Sequence, residues 1–370
     1  MSAFGPRAGS WWSSPLALSL LLVGCGGASV GTTSARPGAG AKLHLAPTTD
    51  LAQTAAIAWL IDAKPRALVA HAELLPAIDT LLPHDRVAAF ADRNGFDPLA
   101  LSELTLASYA SAEGDTMLYL ARGALAPAKL EAIFRARTGG VEGRGIDRQG
   151  EQEIVRTWGT LARGRGRAQM ATFGREAAGL EIGRFGPLRV AELFAQERLK
   201  RASPALRTGA LARAAELVRD RPAGAPQGSA VEGEEGGEEE EDAPLRGFAL
   251  GPFEGESAKG LGGLLAASTA AAVAARPATV GDHAALRITL VLTGGWGADA
   301  PKAADRLAAA FDALSATGLG RLAGLDHPLN VARVEPLPDA LRLTVALDPL
   351  GLARGARAAM GAEVSEIMSY

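Results

Sequence analysis

The stretch Ala285-Leu-Arg-Ile-Thr-Leu-Val-Leu-Thr293 decides the fold class of this chain. Every second residue in it is large and aliphatic: Leu286, Ile288, Leu290 and Leu292. Alternate side chains of a strand lie on one face, so the stretch predicts a β-strand that packs one face in a core. The segment that follows, residues 299–316, spaces its apolar residues as one face of a helix does and predicts an amphipathic helix.

Tight turns join several other predicted strands. Residues 104–110 and 116–122 form one predicted hairpin across a polar turn, and residues 330–335 and 340–347 form a second one. Strands joined by a short turn pair in antiparallel fashion. The sheets of this chain are therefore expected to be antiparallel.

The remaining elements complete an α+β pattern. Further strands are predicted at residues 66–72, 153–158, 168–173, 179–182 and 269–276, and further helices at residues 73–82, 85–94, 127–137, 190–200, 204–219 and 349–368. Strands and helices do not alternate regularly, as they do in parallel α/β folds. We expect an α+β fold of antiparallel sheets with the helices packed on one face. The recurrence of strand, turn and helix leaves open a division into two similar halves.

Composition divides the chain into five parts. They are a signal peptide (1–24), a flexible tether (25–50), a first α+β domain or half (51–220), an acidic disordered linker (221–244) and a second α+β domain or half (245–370). The tether is rich in Gly, Ala, Ser, Thr and Pro, which bury too little apolar surface to fold alone. The linker carries an acidic run from Glu232 to Asp242 without the ordered ligand spacing of a calcium loop.

The overall charge excludes one class of partner. The chain has 38 Lys and Arg residues against 41 Asp and Glu residues, for a formal net charge of −3. A nucleic-acid-binding domain presents a strongly basic surface. No nucleic-acid partner is expected.

The amino-terminal segment indicates where the protein is located. An apolar run from Leu16 to Val23 is far shorter than the roughly 20 residues of a membrane-spanning helix, and it is typical of a secretory signal. It ends at Cys25, the single cysteine of the chain. The residues Leu22-Val23-Gly24-Cys25 resemble the lipobox of bacterial lipoproteins. That resemblance implies cleavage after Gly24, a diacylglyceryl group on the Cys25 thiol and an acylated amino terminus, with palmitate as a typical acyl chain.

The resemblance also implies a subcellular location. Two or more acyl chains hold a protein stably on a membrane, so Cys25 would anchor the chain in the cell envelope. Gly26 stands where an aspartate favours the inner membrane, which favours the outer membrane with the body facing the periplasm. The body also resembles, in style, uncharacterised envelope lipoproteins of the myxobacterial type. This second resemblance implies no functional residue beyond Cys25.

The sequence offers no catalytic, metal or cofactor signature. None of the five histidines has a second His or Cys three to five residues away, the spacing of zinc ligands. Residues 255–260 do not match Gly-x-Ser-x-Gly, and residues 318–324 do not match the dinucleotide fingerprint. We therefore expect no catalytic residue, no metal ligand and no cofactor.

Three hypotheses on function remain. The favoured one is a lipid-anchored, non-enzymatic protein facing the periplasm, with a binding or assembly role and a protein partner in the envelope. The second is a periplasmic carrier that holds an apolar ligand between sheet and helices. The third is a hydrolase with a dispersed site, for which His71, Glu73 and Asp115 are the candidate residues.

Overall fold

The structure is a computed structural model that describes residues 45–110, 114–138, 141–149, 152–160, 166–183, 203–219 and 243–361. Within these residues the helices are α1 (Thr48–Leu51), α2 (Pro65–Val69), α3 (Leu75–Leu81), α4 (His84–Asn94), α5 (Pro127–Arg137), α6 (Gly209–Leu217), α7 (Gly260–Gly263), α8 (Ala300–Ser315), α9 (Gly318–Leu322) and α10 (Pro349–Gly361). The strands are β1 (Ile57–Ala63), β2 (Glu103–Tyr109), β3 (Thr116–Arg122), β4 (Val141–Gln149), β5 (Gln152–Thr160), β6 (Arg167–Phe173), β7 (Ala177–Gly183), β8 (Leu245–Leu250), β9 (Ala270–Val280), β10 (His283–Thr293), β11 (Arg333–Leu337) and β12 (Ala340–Leu347).

The described strands form a single antiparallel sheet of twelve, in the order β11-β12-β10-β9-β8-β1-β2-β3-β7-β6-β5-β4. The predicted α+β class is confirmed. β4 and β11 are the edges of the sheet, and β8 and β1 pair as its fifth and sixth strands, next to its centre. The parts before and after the predicted linker therefore contribute to one continuous sheet.

The two parts of the sheet share one strand order. Each begins with three consecutive strands that pair side by side, β1-β2-β3 and β8-β9-β10. A helix follows in each part, and the last strand then returns to pair with the third: β7 with β3, and β12 with β10. This common order gives the similar halves a topological basis, while the domain boundaries stay a prediction.

The faces of the sheet are distinguished by their helices. On one face, which we call the inner face, α6 packs on a core that contains Leu60, Ala272 and Val291. On the opposite, outer face, α8 packs on Leu292 and its neighbours. Val291 and Leu292 are adjacent in β10, so they point to opposite faces. The expectation that the helices pack on one face is thus corrected, because β9 and β10 carry apolar side chains on both of their faces.

Local patterns account for most of the described elements. Both predicted hairpins are confirmed as β2–β3 and β11–β12, and α4, α5 and α8 lie within a residue of their predicted bounds. The predicted strand at residues 66–72 is wrong, since α2 begins at Pro65, whose ring favours the first turn of a helix. The predicted helix at 190–200 lies outside the described residues, as does most of the predicted linker.

The strands of the sheet end at two opposite sides of the molecule. At the tether end β1 and β12 finish and β8 begins, and the opposite end is called the distal end. The Thr48 amide donates a hydrogen bond to Glu103 Oε2 (2.7 Å) at the start of β2, and the Gln53 amide donates to the Tyr109 hydroxyl (3.1 Å) at its finish. The described chain therefore enters at the tether end, where Leu45 is already buried.

Candidate functional site

The outer face is apolar and uncovered at the centre of the sheet. One row of side chains crosses this face, because each residue in it pairs with the next: Leu343, Leu290, Val273, Gly247, Ile61, Leu106, Tyr119, Leu180 and Met170. Leu343 and Met170, toward its two ends, are 1% and 7% exposed, whereas Val273 and Ile61 in the middle are 41% and 39% exposed. We call Ile61, Leu245, Gly247 and Val273 the outer floor.

The corresponding row of side chains on the inner face is fully buried. Leu60, Phe248, Ala272 and Val291 pair in succession across the same strands. None of them is more than 3% exposed. The exposure of the outer floor is thus a property of one face, and does not reflect loose packing of the central strands.

Helices bound the outer floor on both sides. Phe134 and Leu130 of α5 pack on Ala168 and Met170 of β6, beyond one side of the floor. On the other side α8 packs on β10 and β12. Gly247 lies between Ile61 and Val273 with its backbone close against the Val273 side chain, since a Cβ at this position would lie 3.2 Å from that side chain. The result is a shallow apolar valley without a charged side chain in its floor.

A polar depression lies beside α5, outside this valley. It encloses about 360 Å³, is open to solvent and is lined by Ala128, Glu131, Ala132, Arg135 and Arg144. Arg144 Nε and Arg135 Nη2 each donate a hydrogen bond of 2.7 Å to Glu131 Oε1. Burial acts to raise the pKa of Glu131, but these two guanidinium groups outweigh it and hold the pKa below its ordinary value. Both arginines pair with the single carboxylate, and the depression, with its charged lining, does not resemble a cavity for an apolar ligand.

A series of hydrogen-bonded polar side chains is buried on the inner face where the two halves meet, at the pairing of β1 with β8. Arg246 of β8 donates to Asp62 Oδ2 of β1 from Nε (3.1 Å) and Nη2 (2.6 Å), and both residues are less than 5% exposed. Thr105 Oγ1 donates to Asp62 Oδ1 (3.4 Å), and its hydroxyl lies 2.8 Å from that of Thr48. These groups satisfy one another on the inner face, as buried charges require. Their geometry favours a structural role.

Tyr109 lies near the distal end of the inner face. Burial raises its pKa to about 12, and the nearby Glu181 carboxylate acts in the same direction. The hydroxyl therefore stays protonated at neutral pH. It serves as the acceptor for the Gln53 amide described above.

The residues of the hydrolase hypothesis do not converge. His71 Nδ1 lies 3.6 Å from Glu73 Oε1 near the tether end. Asp115 immediately precedes β3 at the distal end, about 20 Å away along that strand. The grouping of these three residues is wrong, because the connection after β1 and the β2–β3 turn lie at opposite ends of the sheet. Cys25 lies outside the described residues.

The described residues contain no group of three or more His, Cys, Asp or Glu side chains placed to hold a metal ion. In the same part of the chain, no helix combines the length and apolar character needed to cross a bilayer.

Comparison with known proteins gives only weak likenesses. No family model matches the chain, and no curated protein matches it. Among solved structures, crystal form I of TP0453 is 12% identical, with a TM-score of 0.42, over 86% of this chain and 99% of that one. Crystal form IV of TP0453 is 11% identical, with a TM-score of 0.38, over 85% of this chain and 97% of that one. Likenesses at these scores assign neither a family nor a function.

The sequence contained a signal for the outer floor that local reasoning missed. In Ile57-Ala-Trp-Leu-Ile-Asp-Ala63 the large apolar residues Trp59, Leu60 and Ile61 are consecutive, so β1 is apolar on both faces. Such a strand normally lies between two covering layers. The structure covers one face fully and leaves Ile61 on the other exposed, which no strand pattern alone predicts.

Proposed function

We propose that this protein is a lipid-anchored, non-enzymatic component of the bacterial envelope that faces the periplasm and binds a protein partner through its outer floor. Acylation of Cys25 would hold the chain at a membrane, on the side to which its signal directs it. The proposal of an outer-membrane location follows from Gly26, which replaces the residue that favours inner-membrane retention.

One observation supports the binding role most directly. The outer floor is a contiguous apolar surface on a rigid sheet, and Ile61, Leu245 and Val273 are each 39–41% exposed within it. Contiguous exposed apolar surface is typical of interaction sites. Glu131 pairs with two arginines beside α5, and Asp62 pairs with Arg246 between β1 and β8. Because these charged groups are engaged with each other, the described surface is better suited to docking than to proton transfer.

An apolar-ligand carrier is the alternative, and the same valley is the observation that favours it. A carrier needs to enclose its ligand, since sites for small ligands bury most of the ligand surface. The valley is instead open above Ile61 and Val273. Its shape therefore favours a broad protein surface over a small molecule. Native mass spectrometry of the purified chain separates the two, because a retained apolar small molecule would support the carrier and contradict the docking role.

The anchoring is tested by metabolic labelling. Cells that express the chain receive an alkyne analogue of palmitate, and the purified protein is examined by mass spectrometry. We expect label on a mature chain that begins at Cys25, and membrane association that resists alkaline carbonate and yields only to detergent. The Cys25→Ser variant should incorporate no label.

The docking role is tested on the same cells. A photo-crosslinking residue in place of Val273 should form a discrete adduct with one envelope protein, and an Ile61→Asp substitution should abolish that adduct. A crosslinker in place of Ile146, which is 45% exposed on the edge strand, is the matched control. The anchoring is contradicted if the native chain carries no label and keeps its first 24 residues. The docking role is contradicted if the crosslinked adduct still forms in the Ile61→Asp variant.

A further inference from the structure

The exposed large apolar side chains of the described residues are concentrated at the tether end. The most exposed of them lie in segments that leave the sheet at that end or return to it there: Leu81 in α3 (59%), Leu319 in α9 (57%), Val331 (90%) and Leu350 in α10 (55%). The described residues of the connections confined to the distal end contribute none of the exposed large apolar side chains. The asymmetry concerns the ends of the sheet, and the outer floor reaches the tether end through Leu245, the first residue of β8.

Packing joins these connections into one surface. Gly324, just after α9, has a φ of +69° and lies against the backbone of Gly351 and Leu352 in the first turn of α10. A side chain at residue 324 would contact the Leu352 amide nitrogen at 3.1 Å, so the close approach requires glycine. α10 in turn packs along α3. Leu319, Leu350 and Leu81 are therefore carried by three helices, of which α10 contacts both α9 and α3.

Two of these helices, α9 and α10, also carry exposed arginines. Arg321 follows Leu319 in α9, and Arg354 and Arg357 follow Leu350 in α10, where Arg354 Nη2 pairs with Asp348 Oδ2 at 3.3 Å. Apolar side chains flanked by arginine are typical of surfaces that lie in the interface of a bilayer containing anionic lipids. A protein-binding core is usually depleted of charge, and its charges lie on the rim.

The entry point of the chain is an independent observation in favour of a lipid surface. Leu45 enters the body at the tether end, and about 20 residues separate it from Cys25. The flexible tether predicted for this stretch would span about 25 Å on average. With Cys25 in the membrane, the tether end is then the part of the body held nearest to the bilayer.

We propose that the tether end is a second membrane contact, in which Leu81, Leu319, Val331 and Leu350 insert into the interfacial region of a phospholipid bilayer. This inference deepens the proposed function, since it uses the anchor at Cys25 to orient the body. The contact itself does not need the anchor. It would orient the outer floor relative to the membrane, which a flexible tether alone cannot do.

The test uses the mature chain, residues 25–370, with Cys25→Ser so that no acyl chain is present. We measure co-sedimentation with vesicles of phosphatidylethanolamine and phosphatidylglycerol. The unmodified surface should bind, and the Leu319→Ser/Leu350→Ser variant should partition at least about tenfold less, because both side chains lose their apolar surface. The matched control is Ile146→Ser, on the edge strand, which should bind as the parent does.

A second measurement locates the contact without relying on loss of binding. Tryptophan introduced as Leu350→Trp should be quenched by brominated phospholipids, whereas tryptophan introduced as Ile146→Trp should not. Circular dichroism of each variant confirms that its fold is kept. The proposal is overturned if the Cys25→Ser chain ignores the vesicles, if both tryptophans are quenched equally, or if the leucines instead mediate concentration-dependent self-association. A labelled, anchored native protein whose Cys25→Ser form ignores vesicles would overturn this contact and leave the anchoring standing.

Discussion

At the scale of single residues, the buried pair of Asp62 and Arg246 makes the sharpest prediction. Replacement of Arg246 by Met leaves the Asp62 carboxylate buried without its main partner. Breaking a buried ion pair from one side costs about 3–5 kcal/mol of unfolding free energy. Chemical denaturation of the Arg246→Met variant should show a loss of that size.

The double variant and an exposed pair serve as controls for that prediction. Asp62→Leu with Arg246→Met removes both charges and should recover most of the lost stability. Arg207 pairs with Asp50 in a more exposed setting, and its side chain is 67% exposed. Arg207→Met should therefore cost less than about 1 kcal/mol. A double variant as unstable as Arg246→Met alone would show that the pair itself, and not the orphaned carboxylate, supplies the stability.

At the scale of elements, strand β4 depends on two glycines. Gly143 pairs with Trp158 and Gly145 with Arg156, and a Cβ on Gly143 would overlap the indole ring. The Arg156 guanidinium in turn lies 5.7 Å from the centre of that ring. We predict that Gly143→Val displaces Trp158, lowers the unfolding free energy by about 1–3 kcal/mol and shifts the tryptophan emission.

The neighbouring position provides the control for strand β4. Glu142 lies in the β-bulge between Val141 and Gly143, and its exposed carboxylate accepts a hydrogen bond from Thr160 Oγ1 (2.9 Å), so Glu142→Val removes a surface contact and should leave the emission unchanged. Adding Trp158→Ala to Gly143→Val removes the overlapping ring and should recover part of the stability. An unchanged emission spectrum in Gly143→Val would mean that Trp158 does not lie over this glycine.

Strand β4 is an element that the sequence alone did not predict, in contrast to β10. β10 and the two hairpins were predictable, because alternation of large and polar residues and a short turn are local signals. β4 was missed, because Gly143 and Gly145 lower the strand propensity of its sequence, and the compensating contacts come from the next strand. The pairing of β1 with β8 joins Asp62 to Arg246, far apart along the chain, and no local pattern encodes it. The exposure of Ile61 depends on where α5 and α8 lie, so the candidate site was not predictable either.

At the scale of the whole molecule, the two halves share a core. Leu60 and Ala107 from the first half and Phe248 and Ala272 from the second belong to one buried cluster on the inner face. We predict that a chain cut at a protease site inserted within residues 221–242 stays together as one particle. Size-exclusion chromatography should show both fragments at the elution volume of the intact protein.

A cut in the tether is the matched control for this experiment. The same protease site inserted near residue 35 should separate the body from Cys25 without dividing the body. Fragments that separate in the absence of denaturant after cleavage within 221–242 would contradict the shared core, and would make the halves independent domains.

The two edges of the sheet differ in whether they can accept a strand from another copy of the chain. At one edge, β11 is only five residues long and contains Pro336, which has no amide hydrogen to offer a neighbouring chain. At the other edge β4 spans nine residues and is not blocked in this way. Growth of a fibril by strand addition requires two receptive edges on every copy. With one edge blunted by a proline, copies of this chain can join in pairs through β4, whereas addition of further copies at β11 is disfavoured.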